Sequence, residues 1–132
     1  MNKFRFVLFI MVLFLSADLY AQTQSEMTYA ASQDYKLADT ALNDLYNKIL
    51  KEYKSDKVFI RNLKESQNLW IKFRDAELKL KFPDYSSKAG SARSMCQLFL
   101  LKDLTEARTA DLKKWLEGAE EGDVCSGSLK RQ

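Results

Sequence analysis

Apolar residues recur at spacings of three and four in three stretches of the chain, and short polar breaks separate them. The first stripe runs through Met27, Ala31, Tyr35, Ala38, Leu42, Leu45, Tyr46, Ile49 and Tyr53, the repeat of an amphipathic helix. Thr23-Gln24-Ser25-Glu26 stands ahead of it and reads as a capping box. Lys54-Ser55-Asp56 interrupts the repeat, and Ser55 or Asp56 is placed to cap the next helix. The second stripe is Phe59, Leu63, Gln67, Trp70, Phe73, Arg74 and Leu78. Pro83 disfavours helical geometry at Phe82, which predicts an end near Lys81. Residues 83–90 hold Pro, Asp, two Ser and Gly, the composition of a loop. The third stripe, capped by Ser91 or Ser94, is Met95, Leu98, Leu101, Leu104, Thr105, Arg108, Leu112 and Trp115. Gly118 stands where a C-terminal helix glycine belongs, with Lys113 and Lys114 facing the last carbonyls. The tail from Ala119 is polar and reads as irregular. Three long helices with short connections predict an all-α fold, an antiparallel up-down-up bundle with a short C-terminal tail.

The start of the chain changes the picture of where this bundle works. Lys3 and Arg5 precede an unbroken apolar run from Phe6 to Leu15, and a more polar stretch follows and ends at Ala21. This is the layout of a secretory signal peptide, with an apolar run shorter than the ~20 residues a spanning helix needs. The expected organisation is a signal peptide over 1–21, a helical domain over 22–117 and a polar tail over 118–132. Cleavage is expected after Ala21, with Ala17 the second choice. The expected location is periplasmic or secreted, with no stable membrane anchor after cleavage. Loss of Lys3, Arg5 and Asp18 takes 21 basic and 18 acidic side chains to 19 and 17, a net charge of +2. So small an excess makes no field that would recruit nucleic acid.

Composition removes most catalytic chemistry. The sequence has no histidine, so it holds no Ser-His or Cys-His nucleophile pair and no His-containing zinc site. It has no CxxC pair and no phosphate-binding glycine loop. No cofactor or metal is expected, and the chain does not read as an enzyme. The two cysteines, Cys96 and Cys125, are expected to form a disulfide in an oxidising compartment. Reach sets a condition on that bridge. A straight helix from 96 to 117 puts Cys96 ~31 Å from its end, whereas the following stretch to Cys125 spans at most ~27 Å. The bridge therefore needs a taut tail, a kink or an early helix end. Free thiols or an intermolecular bridge are the alternatives.

Polar residues inside the apolar stripes are the distinctive feature. Asp39 and Asn43 flank Leu42 and share a face with Tyr46; Gln67, Arg74 and Asp75 surround Trp70; Thr105 and Arg108 lie one turn apart. A core-facing arginine needs a carboxylate or several carbonyls, because a buried unpaired charge is costly. The favoured reading is an internal network, for example Asp39 with Arg74 or Arg108, that fixes helix register. A binding groove on the same residues is the other.

Read together, Asp39-Thr-Ala-Leu42-Asn43-Asp-Leu-Tyr46, Gln67-Asn-Leu-Trp70-Ile-Lys-Phe-Arg74-Asp75 and Leu104-Thr105-Glu-Ala-Arg108-Thr-Ala-Asp-Leu112 resemble the lysozyme inhibitor LprI-like N-terminal domain family over roughly residues 24–116. The resemblance implies a small exported helical domain and lysozyme inhibition as a candidate activity. Ala30 and Leu78 stand where family members often carry cysteine, so the family's usual disulfides do not carry over. No lipobox is present. The function expected on this basis is an exported helical binding module acting on a lysozyme-type muramidase by steric occlusion. The alternative is an envelope structural or stress-related protein that binds a cell-wall component or another envelope protein. Animal lysozymes are typically cationic, and a net +2 offers them no global attraction. The local acidic cluster of Glu117, Glu120, Glu121 and Asp123 is the candidate contact, together with Asp84 and Tyr85 in the loop, since loops on rigid scaffolds carry recognition.

Overall fold

A computed structural model of the chain describes the backbone of residues 2–83 and 91–129 and the side chains of 23–83 and 92–129. Among these residues the chain forms three helices, α1 (Asn2–Glu52), α2 (Lys57–Lys81) and α3 (Ser91–Glu117). The all-α expectation holds, and the local signals for the later boundaries act as read. The Asp56 carboxylate accepts from the Phe59 amide at 2.9 Å, which makes it the N-cap of α2. Lys81 is the last residue of α2, one before Phe82 and two before Pro83. Gly118 follows α3 at φ 79°, and its amide bonds the Lys114 carbonyl at 3.0 Å, a conformation that a Cβ would strain.

The beginning of α1 differs from expectation. The helix is continuous from Asn2 through residues 21 to 23, so Thr23 lies within it and does not cap it. The physical reason is that residues 2–22 contain no glycine or proline and are rich in Leu and Phe, so nothing locally stops the helix before Thr23. A capping box acts only where a helix begins. Among the described residues no helix is long and apolar enough to cross a membrane.

Side-chain pairings fix the relative directions. Tyr53, just past the end of α1, donates its phenolic hydrogen to the Trp115 carbonyl near the end of α3 at 2.9 Å, so α1 and α3 run parallel. Helix α2 runs back between those ends. Phe59 at its start stacks on Tyr53 with ring centroids 4.1 Å apart and meets Trp115 edge-on at 5.0 Å. Arg74 in its second half reaches the Tyr35 hydroxyl on α1 at 3.4 Å. Arg93 at the start of α3 donates to the Phe82 and Pro83 carbonyls at 2.7 and 2.9 Å. This is the expected up-down-up order.

The core lies mainly along the seam between α1 and α3, the most extensively packed pair. On α1 and just past its end the buried residues are Ala31, Ala38, Leu42, Ile49 and Tyr53, alternating steps of seven and four. On α3 they are Thr105 and Leu112, seven apart. Such spacing gives the shallow crossing of coiled-coil-like packing, and the alanines let the backbones come close. Helix α2 contributes Phe59, Leu63 and Gln67, all from its first half. Phe73, expected on the core stripe, is instead exposed, as are Leu69 and Leu80. In the second half of α2 the inward position falls to Arg74, and Phe73, one position before it, turns outward.

The expected bridge between Cys96 and Cys125 is absent: both are free, exposed thiols. Helix α3 is one continuous helix from Ser91 to Glu117, so about 31 Å of helix lies between Cys96 and its end. The tail is not taut. It folds through turns in which the Asp123 carboxylate accepts from the Cys125 amide at 2.8 Å and the Ser126 hydroxyl donates to the Asp123 carbonyl at 2.9 Å. Gly122 and Gly127 take φ of 90° and 56° in these turns. A coiled tail of eight residues cannot return to Cys96. Thermal unfolding of the purified protein should therefore give the same midpoint with and without a strong reductant, and both thiols should react with a thiol reagent in the native state. A reductant-induced drop of several degrees would show a bridge.

Thr105 is fully buried, and its hydroxyl has no hydrogen-bond partner among the described residues. An unsatisfied buried hydroxyl costs about 1–3 kcal/mol. Thr105→Val keeps the shape and removes that cost, so chemical denaturation should show equal or higher stability, by up to about 1 kcal/mol. Ile49→Ala, which opens a cavity at a fully buried position, should lose about 2–5 kcal/mol.

Candidate functional site

The polar residues of the stripes gather around Trp70, in an arrangement different from the expected one. The Arg74 guanidinium lies over the Trp70 ring, 5.4 Å from its centroid, and Arg108 from α3 lies 6.0 Å from the same centroid. The indole thus serves two cations at once. Arg74 follows Trp70 by four residues, one helical turn, which is why it lands on the ring. Asp75 then holds Arg74 from the adjacent position: one carboxylate oxygen accepts from Nε at 3.0 Å and from Nη2 at 2.8 Å. The Trp70, Arg74 and Asp75 pattern is therefore one structural device, a cation laid on an indole and fixed there by its neighbour.

Arg108 is satisfied differently. Its Nε donates to the Gln67 side-chain oxygen at 3.0 Å and its Nη2 to the Ser66 hydroxyl at 3.0 Å. Gln67 is buried and Arg108 half-buried. Burial pulls the Arg108 pKa below its ordinary value, with the Asp111 charge acting in the opposite direction. No carboxylate makes an ion pair with Arg108 among the described residues. This corrects the expected pairing of Asp39 with Arg74 or Arg108. Asp39 accepts from the Asn43 amide at 3.0 Å, one turn along α1, and Asn43 is exposed. A short aspartate bonds its own helix neighbour with little loss of freedom, and the arginines find closer partners on α2. Arg74, Asp75 and Asp39 therefore do not converge on one pocket. Tyr46 is half-buried against the core, and burial raises its pKa. Leu42 and Leu112 are core residues.

Next to Arg108 a groove of about 450 Å³ opens between the first half of α2 and the second half of α3. Val58, Phe59, Leu63, Leu112 and Trp115 form its apolar wall. Asn62, Ser66, Arg108, Asp111 and Asp56 line it with polar groups, and Ser128 from the tail also faces it. The volume falls within the about 300–1,000 Å³ of small-ligand sites. Sequence reading missed this groove because its members come from both sides of the stripes and from a tail read as irregular. The pairing of Gln67 and Arg108 was the available signal. Among the described residues no cluster of carboxylates and thiols could hold a metal ion.

The predicted contact residues divide. Glu117 pairs with Lys113 at 2.8 Å and raises that lysine's pKa. Asp123 is occupied in the tail turns. Glu120 and Glu121 are exposed on the tail. Asp84 and Tyr85 lie outside the described residues. Cys96 and Cys125 are far apart in role, one on an α3 face and one in a tail turn.

Comparison with known proteins agrees with the motif reading. A family model described as lysozyme inhibitor LprI matches residues 16–112. An uncharacterized protein of Rhizobium meliloti (strain 1021) is 32% identical over 111 residues, covering 76% of this chain and 78% of its own. No solved structure matches. All three motif blocks, including the Trp70 stack and Arg108, lie inside the matched region, and the chain belongs to the LprI lysozyme inhibitor family.

Proposed function

We propose that this protein is an exported, non-catalytic binding module whose partner is a lysozyme-type muramidase, inhibited by occlusion of its cleft. The observation that carries this reading is the family match over residues 16–112. The signal-like start of the chain supports export, and the absence of histidine from the sequence supports binding without catalysis.

The contact we propose is the acidic tail. It begins at the Gly118 cap and is pinned by buried Ala119 and Ser126, so its carboxylates are held in place before binding and less ordering entropy is lost on contact. With Glu117 engaged by Lys113 and Asp123 engaged in the turns, the available charge is that of Glu120 and Glu121. Lys48, Lys51 and Lys54 surround Leu116 near the same end, so the attraction to a cationic enzyme is local and acts over a few ångströms. Asp84 and Tyr85 in the loop are the second proposed contact.

The test is muramidase activity in the presence of the mature protein, residues 22–132, using chicken-type and goose-type lysozymes. Stoichiometric inhibition of one type is expected. The double change Glu120→Gln and Glu121→Gln should weaken it by about three- to tenfold at low ionic strength, with the difference shrinking as salt rises. No inhibition of either enzyme would overturn the muramidase assignment and point to a cell-wall component or another envelope protein as the partner.

A further inference from the structure

The α2–α3 groove carries an inference that stands independently of the muramidase reading. A guanidinium has five N–H donors. Arg108 commits one to Gln67 and one to Ser66, both neutral. The remaining donors have no protein acceptor among the described residues, although the side chain is half-buried. Asp111 acts on this half-buried cation only through its charge and makes no ion pair with it, so its open donors can take a bidentate carboxylate, the group its planar fork fits best.

The carboxylates nearby do not fill that role. Asp111, one turn along α3, accepts from Lys114 at 3.1 Å. Asp56 at the far end holds the first turn of α2 through the Phe59 amide. The groove is thus polarised along its length, with the cation of Arg108 beside Ser66 at one end and the two carboxylates beyond it. From Arg108 to Trp115 the helix rises ~10 Å. An apolar wall of Phe59, Leu63, Leu112 and Trp115 lies along this path.

We infer that the groove binds the carboxyl-terminal residue of a peptide. Arg108 takes the terminal carboxylate, the apolar wall takes the last side chain, and the preceding N–H groups face Asp111 and Asp56. A lone small acid would satisfy Arg108 and leave the acidic end unused. The polarity along the groove is what favours a chain end.

The experiment titrates the mature protein with three probes: a leucine-terminated tripeptide with a free carboxyl group, the same tripeptide ending in carboxamide, and N-acetyl-leucine. Trp115 fluorescence and the Arg108 Nε–H resonance report binding. The free-acid tripeptide should bind and shift the Arg108 signal, and the carboxamide should bind at least tenfold more weakly. Arg108→Gln should remove that preference and Arg108→Lys should restore part of it. Because Arg108 also supports Gln67 and Trp70, a second variant guards against loss of fold. Asn62 lines the groove and is exposed, so Asn62→Trp should block binding with unchanged helix content and melting temperature. Three results would each overturn the inference: no binding of the free-acid tripeptide at millimolar concentration, equal binding of acid and carboxamide, or N-acetyl-leucine binding as tightly as the tripeptide.

Discussion

The parallel seam between α1 and α3 is the constraint on which the rest of the molecule depends. Two parallel helices cannot be joined by a tight turn, so the chain between them has to travel back the full length of the seam, and α2 is that return path. The seam closes because its inward positions pass from small side chains, Ala31 and Ala38, to large ones, Leu42, Ile49 and Tyr53. A larger residue at Ala38 would press on α3, whose Lys102, Glu106 and Thr109 lie beside it, and the Tyr53 to Trp115 hydrogen bond sets the register at the closed end. The aromatic trio of Tyr53, Phe59 and Trp115 then locks the start of α2 to the C-terminal ends of both seam helices. Pairs of this kind add about 0.5–1.5 kcal/mol each beyond their buried area, so this end is the firm one.

The other half of α2 is held by different means. Beyond Gln67 none of its described side chains is buried, and the attachment passes to Trp70, the two arginines around it and the Arg74 contact with Tyr35. Cation–π contacts contribute about 0.5–2 kcal/mol depending on desolvation, less than a packed leucine would supply. What they add is direction. An indole met by guanidiniums from α2 and α3 permits one rotation of α2 about its axis, where an apolar stripe would tolerate several. Exposed Leu69, Phe73 and Leu80 follow from that choice, because the rotation that brings Trp70 to Arg108 of α3 and Arg74 to Tyr35 of α1 turns them outward.

Much of this was legible in the sequence, and the gaps have physical causes. The period of the stripes, the Asp56 cap, the stop ahead of Pro83 and the Gly118 cap are local signals, decided within one turn, and each appears as read. The partners of the buried arginines are not local. Charge complementarity suggested Asp39, but Asp39 had Asn43 one turn away, and a neutral glutamine took Arg108. Residue type predicts that a buried charge will be satisfied, and register decides by whom. The disulfide failed for a similar reason: compartment favours a bridge, whereas the straight length of α3 and the coiled tail deny it the reach. The groove was the least legible feature, since Ser128 joins it only through turns that need Gly122 and Gly127 at positive φ.

These features together describe a surface whose charge pattern is fixed. With no histidine in the sequence, no side chain has an ordinary pKa in the middle of the pH 5–8 range. Arg108 stays protonated even with its pKa lowered by burial, because arginine starts so far above neutrality. A binding surface of the kind proposed is served by a charge arrangement that does not drift with pH. The replacement of titratable partners by glutamine, serine and indole around Arg108 meets that requirement: the cation that fixes α2 against α3 also keeps its charge at the edge of the groove, and neither role depends on a neighbour's protonation.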